Sequence, residues 1–348
     1  MRFEPSRYRS EQISDLLAQA VPREAQRIHG SRDYFQLIRN GTLYEIVPVL
    51  RVTSWKDARN VTDMSPLHVQ YVKNHIATKP ELPGQIRLAK HWCKAQKIYG
   101  AESHLSGISG HVLDLLLIHY GSFDAFITAA ASWTEETIID IEHHHKDPKH
   151  ALNAAKTHSP LILVDPLQPE RNAAAALSPL LYKHLILAAT AYLAKPTPEA
   201  FTYEPLSVTQ LKRTFPQGLH AATLTPLPGK QDIAGARCKS AYEHLTRHID
   251  LHGFDLLATG WEYQNTHALC YWVVASDELP RIAIHAGPPL TRPEDCARFS
   301  EKHSNTYTES GRIYAKEPRK HTSITTLLRE LLQDRTTRER ITHAELLI

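Results

Sequence analysis

Cysteine is scarce in this 348-residue chain, and the four that occur lie far apart. Cys93, Cys238, Cys270 and Cys296 form no C-x-x-C pair, which argues against a disulfide framework or a zinc site and favours a reducing compartment. No apolar run approaches the roughly 18 residues that span a bilayer. The N-terminal stretch MRFEPSRYRSEQ is too charged for a signal peptide. We therefore expect a cytoplasmic protein without membrane association.

An excess of charge of one sign is also lacking, because the formal net charge is only +3. This mild basicity permits nucleic acid as a partner without arguing for it. The hydrophobic fraction of 42% and the charged fraction of 22% are typical of a globular protein. The length allows two or three domains with a sizeable core.

A carboxylate on a predicted strand is the first functional signal. YFQLIRNGTLYEIVPVL (34–50) predicts a β-hairpin around Asn40-Gly41, the pair that a type I′ turn prefers. Glu45 lies on a face of the second strand where a charge is costly unless a cation uses it. The other residues of this face are apolar: Leu43, Val47 and Val49. Nothing before residue 34 reads as another strand, so later strands or something outside the chain must complete the sheet.

A nucleotidyl transferase is the enzyme class that would use such an acid, because carboxylates on adjacent strands hold two Mg²⁺ ions there. The first two carboxylates would come from a D-x-D pair after a Gly-Ser turn. Gly30-Ser31 is followed only by Asp33, which is too close. Gly121-Ser122 precedes IIDIEH, whose acids alternate, but the segment between them predicts a helix. The sequence therefore lacks its own first two carboxylates.

A helix with a basic face is predicted at LPGQIRLAKHWCKAQKIY (82–99). The face consists of Arg87, Lys90, Lys94 and Lys97. A solvated charged surface and a phosphate-facing wall both fit this pattern.

The histidine run in EHHHKDPKH (142–150) predicts a loop rather than a metal site. Consecutive histidines do not converge on one ion, and the Asp-Pro pair beside them marks a loop.

The last third predicts a β-α-β-β-α-β order, which is a ferredoxin-like unit. Its strands are HAATLTPL, FDLLATGWEY, HALCYWVVAS and RIYAKEP, and its helices are KSAYEHLTRHIDLHG and PEDCARFSEKH. A long amphipathic helix, ITTLLRELLQDRTTRERI, is expected to close the chain.

Several stretches, taken in order, resemble the class I (archaeal-type) CCA-adding enzymes, the tRNA nucleotidyltransferases that build the 3′ CCA end. LYEIVPVL looks like the strand with the third carboxylate, and DMSPLHVQYV is similar to the D-x-[ST]-P-x-H segment. IRLAKHWCKAQKIYGAE resembles the neck helix, and LILVDPLQPERNAAAALS resembles the D-P-x-x-x-x-R-N stretch of the body. SGISGHVLDLLLIHYGSF and WTEETIIDI are similar to the segments between them. The resemblance covers nearly the whole chain.

The resemblance implies an α+β multidomain protein with a partial nucleotidyltransferase sheet, a helical neck, an α/β body and a ferredoxin-like tail. The expected domains are an incomplete head at 1–78, a neck at 79–157, a body at 158–218 with 319–348, and a tail at 219–318.

The resemblance also implies roles for individual residues. Glu45 would be the third metal-site carboxylate and a catalytic residue, with Mg²⁺ as cofactor. The contacts to the substrates ATP and CTP would come from His68, Lys90, Tyr99, Asp165 and Arg171. The tRNA acceptor stem and T-loop region would be bound mostly through phosphates and shape. The expected tRNA contacts on the basic helix are Arg87, Lys94 and Lys97.

The departures from the family's pattern leave two functions open. The Gly-Ser turn and D-x-D strand are missing, and Glu45 replaces the usual Asp; Ser106 and His111 stand where the family tends to have Arg and Tyr. In the first reading, a small partner chain supplies the missing strands, and this split enzyme adds C, C and A from CTP and ATP. In the second, the chain is a catalytically degenerate relative that binds tRNA. A truncated gene model is a third reading, and the sequence leaves a higher oligomer open.

Overall fold

The computed structural model describes residues 1–153 and 157–348, and they form two compact units, Met1–Tyr203 and Glu204–Ile348. Helices and several small sheets occur in both units, which confirms the expected α+β multidomain class. The finer division into head, neck, body and tail stays a prediction. The two segments expected to form the body, 158–218 and 319–348, do not fall within one unit.

The described residues of the first unit contain both helices and strands. The helices are α1 (Ile13–Ala20), α2 (Ser65–Thr78), α3 (Leu82–Ala95), α4 (Gly110–Tyr120), α5 (Phe123–Ala131), α6 (Pro148–Ala151) and α7 (Pro179–Ala194). Short 3₁₀ turns occur at Trp55–Asp57, Val61–Met64 and Pro198–Phe201. The strands are β1 (Arg2–Phe3), β2 (Gln26–Ile28), β3 (Tyr34–Arg39), β4 (Thr42–Ile46), β5 (Val49–Leu50), β6 (Thr137–Asp140) and β7 (Leu161–Val164).

The predicted hairpin is confirmed as β3 and β4. Asn40 and Gly41 both have positive φ angles, 52° and 73°, as a type I′ turn requires. Two further strands precede it, contrary to the sequence-based expectation: β2 pairs with β3, and β1 pairs with β5. Both are too short, at three and two residues, to give an alternating pattern. The sheet order β2-β3-β4 leaves β4 as an edge strand.

Helices α3, α4, α5 and α7 build the main core of the first unit, around fully buried Trp92, Phe123 and Phe126. Their starts follow local rules that the sequence carries. Ser109, Ser122 and Ser178 each accept a backbone N–H as helix N-caps, and Pro179 occupies the first turn of α7. Beside this core, β6 and β7 form a parallel pair whose β7 residues are all buried.

The described residues of the second unit form two sheets and several helices. The strands are β8 (Leu219–Pro226), β9 (Leu256–Tyr263), β10 (Ala268–Val274), β11 (Ile282–Pro289), β12 (Thr306–Glu309), β13 (Arg312–Pro318) and β14 (Ile341–Leu346). The helices are α8 (Val208–Thr214), α9 (Gln231–Leu251), α10 (Pro293–Lys302), α11 (Ile324–Leu331) and α12 (Arg335–Arg338).

The larger sheet of the second unit has the ferredoxin-like arrangement, but two of its elements were wrongly assigned from the sequence. Its antiparallel order is β14-β8-β10-β9, so β14 is the fourth strand, and α11 precedes it. RIYAKEP does form a strand, β13, but it pairs with β11 and β12 in a separate sheet that carries α10. The local sequence therefore predicts that RIYAKEP forms a strand, but it does not predict which strands RIYAKEP pairs with.

The predicted closing helix is also shorter than expected. α11 ends at Leu331, and Asp334 then caps a new short helix by accepting the N–H of Thr337. The chain continues as β14, where ITHAEL pairs with β8.

No single helix among the described residues is long and apolar enough to cross a membrane. Helices α4 and α5 pass that test only as a pair, which is bent by 96°.

Candidate functional site

A cavity of about 730 Å³ opens between α2, α4 and the loop that follows β7. Its wall is partly apolar and partly charged. The polar residues of the lining include His68, Lys73, His111, Asp114, Gln168 and Arg171. The structure thus brings two predicted nucleotide contacts, His68 and Arg171, to one cavity. Glu45 is not part of that lining.

The loop after β7 is held back against its own strand. The Asp165 N–H donates to the Arg171 carbonyl at 2.9 Å, and this hydrogen bond joins the two ends of the loop. Asn172 then braces β7, since its side chain accepts the Leu163 N–H and donates to the Leu161 carbonyl. The sequence D-P-x-x-x-x-R-N therefore specifies a tight loop that presents Asp165 and Arg171 together.

Asp165 is fully buried, and both of its oxygens accept hydrogen bonds. Oδ1 accepts the backbone N–H groups of Leu167 at 2.9 Å and Gln168 at 3.2 Å. Oδ2 accepts Arg171 Nη1 at 2.8 Å and lies 3.1 Å from His68 Nε2. A carboxylate engaged in this way orients its neighbours instead of reaching into the cavity.

The charge state of Asp165 follows from these contacts. Burial alone would raise the pKa of Asp165, but His111, His68 and the Leu167 N–H outweigh it. They hold the pKa well below its usual range, so Asp165 is an anion at neutral pH.

His111 is the convergent residue whose role the sequence did not indicate. It lies in the first turn of α4, with its ring centroid 4.4 Å from that of His68. Its Nε2 is 3.8 Å from Asp165 Oδ2, too far for a hydrogen bond. The sequence signalled it only as a departure from the residue type expected there.

The histidine run has a structural use. His144 Nε2 lies 2.9 Å from the Pro166 carbonyl, and His145 Nε2 lies 2.8 Å from the Pro169 carbonyl. Both rings thereby fasten the loop that carries Asp165 and Arg171. His143, His144 and His145 lie between β6 and α6, outside any helix or strand, which confirms the predicted loop.

Lys90 and Tyr99 meet at the N-terminus of α4. A Cβ atom on Gly110 would lie 3.0 Å from Tyr99 Oη and 3.7 Å from Lys90 Nζ, so glycine lets these groups approach the helix end. Lys90 also pairs with Asp114 at 2.7 Å. Backbone N–H groups, an ammonium and a phenol at one helix N-terminus are an arrangement suited to phosphate.

The predicted basic face of α3 is only partly regular. The helix ends at Ala95, and Lys97 lies beyond it with a left-handed φ of 57°. Arg87 and Lys94 are exposed, as is Lys97, and Lys94 lies over the Tyr99 ring at 5.0 Å. These three side chains remain a candidate surface for RNA phosphates.

Glu45 is exposed on β4 and not buried among apolar neighbours as its sequence suggested. Opposite it on β3, Gln36 donates its amide to Glu45 Oε1 at 2.7 Å. The same face carries the cross-strand pair Ile38 and Leu43, which are 73% and 53% exposed. The opposite face buries Phe35 and Leu37. No strand among the described residues pairs with the outer edge of β4, so the acid lies on a largely uncovered sheet face beside that edge.

The strand carrying IIDI is not a neighbour of Glu45. β6 pairs with β7, and its Asp140 accepts the His145 N–H. Glu142, two residues further, accepts the Tyr71 hydroxyl at 2.6 Å. Among the described residues, no group of three that could hold an ion includes Glu45.

A buried ion pair that the sequence did not reveal anchors this sheet to α2. The Arg32 guanidinium donates to Asp63, and Arg32 Nη2 also reaches Ser10 at 2.7 Å. Asp63 accepts the backbone N–H of Leu50 at 2.8 Å and that of Asn60 at 3.0 Å. The pair is fully hydrogen-bonded, which is the condition for a buried charge pair to be tolerated. It joins the strands around Glu45 to the start of the cavity wall.

Known protein families match the sequence of both units. Residues 84–202 match the family model of the tRNA nucleotidyltransferase second domain. Residues 232–342 match that of the CCA-adding enzyme C-terminal domain. The chain is 32% identical to the CCA-adding enzyme of Nanoarchaeum equitans, over 90% of this chain and 77% of that protein. The chain belongs to the CCA-adding enzyme family.

Two further CCA-adding enzymes are similar. The Pyrococcus abyssi protein is 30% identical over 88% of this chain and 68% of its own length. The Methanoregula boonei protein is 28% identical over 84% of this chain, which spans only 64% of it. The family resemblance read from the sequence is thus confirmed. Lys90, Tyr99, His111, Asp165 and Arg171 all lie within the region that matches the second domain.

Proposed function

We propose that this chain is one subunit of a split CCA-adding enzyme, which adds C, C and A to tRNA 3′ ends from CTP and ATP. A small second polypeptide carrying the Gly-Ser and D-x-D motifs would complete its catalytic head. The observation that carries the proposal is Glu45 on an edge strand, beside the exposed apolar pair Ile38 and Leu43.

The residues of the cavity support the proposed binding of ATP and CTP. Arg171 is half-exposed toward it and held by Asp165, which suits a side chain that hydrogen-bonds the incoming base. Lys90 and Tyr99 at the N-terminus of α4 suit the triphosphate. Asp165 acts as a positioning residue for His68 and Arg171, because its own oxygens are used within the protein.

The sheet formed by β2, β3 and β4 supports the proposed binding of a partner chain. A free strand edge offers unpaired backbone groups, and strand addition satisfies them. An added polypeptide would also cover Ile38 and Leu43, and removing such surface from water is favourable by roughly 25 cal/mol per Å². The buried ion pair between Arg32 and Asp63 ties this sheet to the segment before α2, which would hold the strand edge in place for a partner.

Magnesium fits only the completed site. Glu45 offers a single carboxylate, and one of its oxygens accepts from Gln36. Mg²⁺ needs an octahedral oxygen shell, so this chain's residues alone do not form its site. The remaining carboxylates of the proposed site belong to the D-x-D motif of the partner.

The proposed tRNA contacts are Arg87, Lys94 and Lys97, exposed cations that suit the phosphates of the acceptor stem and T-loop region. We expect such an enzyme to act in the cytoplasm. A higher oligomer of the two-chain complex is compatible with these surfaces.

Substitution of Glu45 tests the catalytic role. In the complex, Glu45→Gln should lower C and A addition by roughly 100-fold or more, because a charged ligand of the reacting centre is lost. tRNA affinity, measured by filter binding, should stay within about twofold, since Glu45 is not on the basic surface. Glu24→Gln, an exposed acid before β2, is the matched control and should change neither.

Equal losses of addition and tRNA affinity in Glu45→Gln would contradict the metal role. Unchanged addition by the Glu45→Gln complex would contradict it as well. tRNA binding without addition under every partner condition would favour the degenerate, binding-only relative.

A further inference from the structure

Three potential metal ligands converge at the wall of the cavity, where His68 and His111 line it and Asp165 lies buried behind them. One ligand atom from each lies within 4.8 Å of the others. Asp165 Oδ2 is 3.1 Å from His68 Nε2 and 3.8 Å from His111 Nε2. Ligand atoms around a tetrahedral zinc ion are about 3.4 Å apart, so these distances bracket the required spacing.

His111 gives an independent indication. Its Nε2 atom is buried and has no hydrogen-bond partner among the described residues. A buried polar atom without a partner costs roughly 1–3 kcal/mol and calls for an explanation. The atom points toward the same carboxylate oxygen as His68, so one ion would satisfy both rings.

We propose that His68, His111 and Asp165 bind a divalent transition-metal ion of the zinc type. Two imidazoles and one carboxylate are a donor set that zinc accepts and that magnesium disfavours. The fourth position would face the cavity, where water or an oxygen of a bound phosphate can occupy it. The ion requires both rings to present an unprotonated Nε2.

Arg171 competes with such an ion for Asp165. Its Nη1 lies 2.8 Å from Oδ2, the same oxygen that the metal would use. The Arg171 side chain is 42% exposed, so the guanidinium can withdraw into the cavity when the ion binds. Removing this cation should therefore tighten metal binding, an effect that a purely structural role of the cluster does not produce.

This inference does not depend on the proposed catalytic function. It concerns residues on α2, α4 and the loop after β7, whereas the proposed magnesium site includes Glu45 on β4. The metal can be measured on the purified full chain without nucleotide, tRNA or a partner.

Calorimetric titration with Zn²⁺, after treatment with a chelator, is the first measurement. We expect one ion per chain with micromolar or tighter affinity, and much weaker binding of Mg²⁺. His111→Phe and His68→Gln should each weaken Zn²⁺ binding at least tenfold, since each removes a ligand. Arg171→Met should strengthen it severalfold. His343→Gln, which changes an exposed histidine of the second unit, is the control.

Imidazole nitrogen NMR identifies the ligands directly. With one equivalent of Zn²⁺, the Nε2 resonances of His68 and His111 should shift, and those of the surface histidines should not. Co²⁺ should give the absorption of a four- or five-coordinate ion in the wild type and lose it in both histidine variants.

Three results would overturn the proposal. They are binding that is equally strong in both folded histidine variants, binding through surface histidines only, and no stoichiometric Zn²⁺ binding by the wild type. If His111→Phe does not fold, His68→Gln and Arg171→Met decide the question, because their expected shifts are in opposite directions.

Discussion

Asp165 links the residues of the cavity, because it is the buried anion to which His68 and Arg171 are both attached. Its sequence context, Asp before Pro, would equally suit a simple turn residue. The structure assigns it more than that, since it stabilises the loop through two backbone N–H groups and orients two side chains. Removing the charge should therefore affect stability and the cavity together.

Asp165→Asn should lower the free energy of unfolding by about 2 kcal/mol, the range for losing charge-assisted hydrogen bonds to a buried acceptor. Chemical denaturation at neutral pH measures this loss. Because the pKa of Asp165 is lowered, its stabilisation is complete at neutral pH and is lost only as pH falls below 3.8. Asp124→Asn, an exposed acid on α5, should cost less than about 0.5 kcal/mol. Equal losses in the two variants would contradict the role given to Asp165.

At the scale of elements, the proposed partner would bind at the edge strand β4 and its uncovered face. Ile38 and Leu43 lie opposite each other and next to the pair of Gln36 with Glu45. An apolar pair on an exposed sheet face contributes little to the stability of the isolated chain, but it would contribute to an interface.

The double substitution Ile38→Ser with Leu43→Ser should change the stability of the isolated chain by less than about 1 kcal/mol, because both side chains are already exposed. It should weaken binding of a polypeptide carrying the Gly-Ser and D-x-D motifs by roughly 10- to 100-fold. Titration of the labelled polypeptide measures the affinity. Leu257→Ser, at a residue 64% exposed in the second unit, serves as the control. Unimpaired binding by the double variant would place the partner elsewhere.

The elements also differ in how far the sequence predicts them. The hairpin is predicted from its turn pair, and the starts of α4, α5 and α7 follow from serine N-caps, both of which act locally. β1 and β2 were missed because pairing, and not their own composition, makes them strands. β13 and β14 exchanged roles for the same reason: which strand completes a sheet depends on contacts far apart in the sequence.

The residues of the candidate site also differ in how far the sequence predicts them. Asp165 and Arg171 were named through the family resemblance, and the structure brings their side chains within 2.8 Å of each other. The convergence of His111 with His68 joins α4 to α2 and could not be read from either stretch. The burial of Glu45 was predicted wrongly, because alternation reveals which residues share a face but not whether that face is covered.

At the scale of the whole molecule, histidine makes stability depend on pH. The chain has 22 histidines, of which His244 and His248 lie on α9 and His252 directly follows it. The ring centroid of His248 is 4.4 Å from that of His244 and 6.2 Å from that of His252. Burial, then His244, Arg247 and His252, lower the pKa of His248, against the attraction of Asp334.

A lowered histidine pKa means that the unfolded chain binds the proton more readily than the folded one. His248 therefore contributes stability that is complete above pH 6.5, the ordinary histidine value, and is lost as pH falls below it. His248→Gln should make this decline shallower. Melting curves at a series of pH values, with His343→Gln as the exposed control, measure the slope. An unchanged slope in His248→Gln would contradict the assignment.

We propose that this chain contributes one acid from an incomplete sheet and needs a second polypeptide for catalysis. The most direct measurement is incorporation of labelled C and A into a tRNA lacking its 3′ end, by the purified chain with and without the motif-bearing polypeptide. We expect bound tRNA but no incorporation by the chain alone, and incorporation that saturates as the polypeptide is added. Incorporation by the chain alone, proportional to its concentration, would contradict the account.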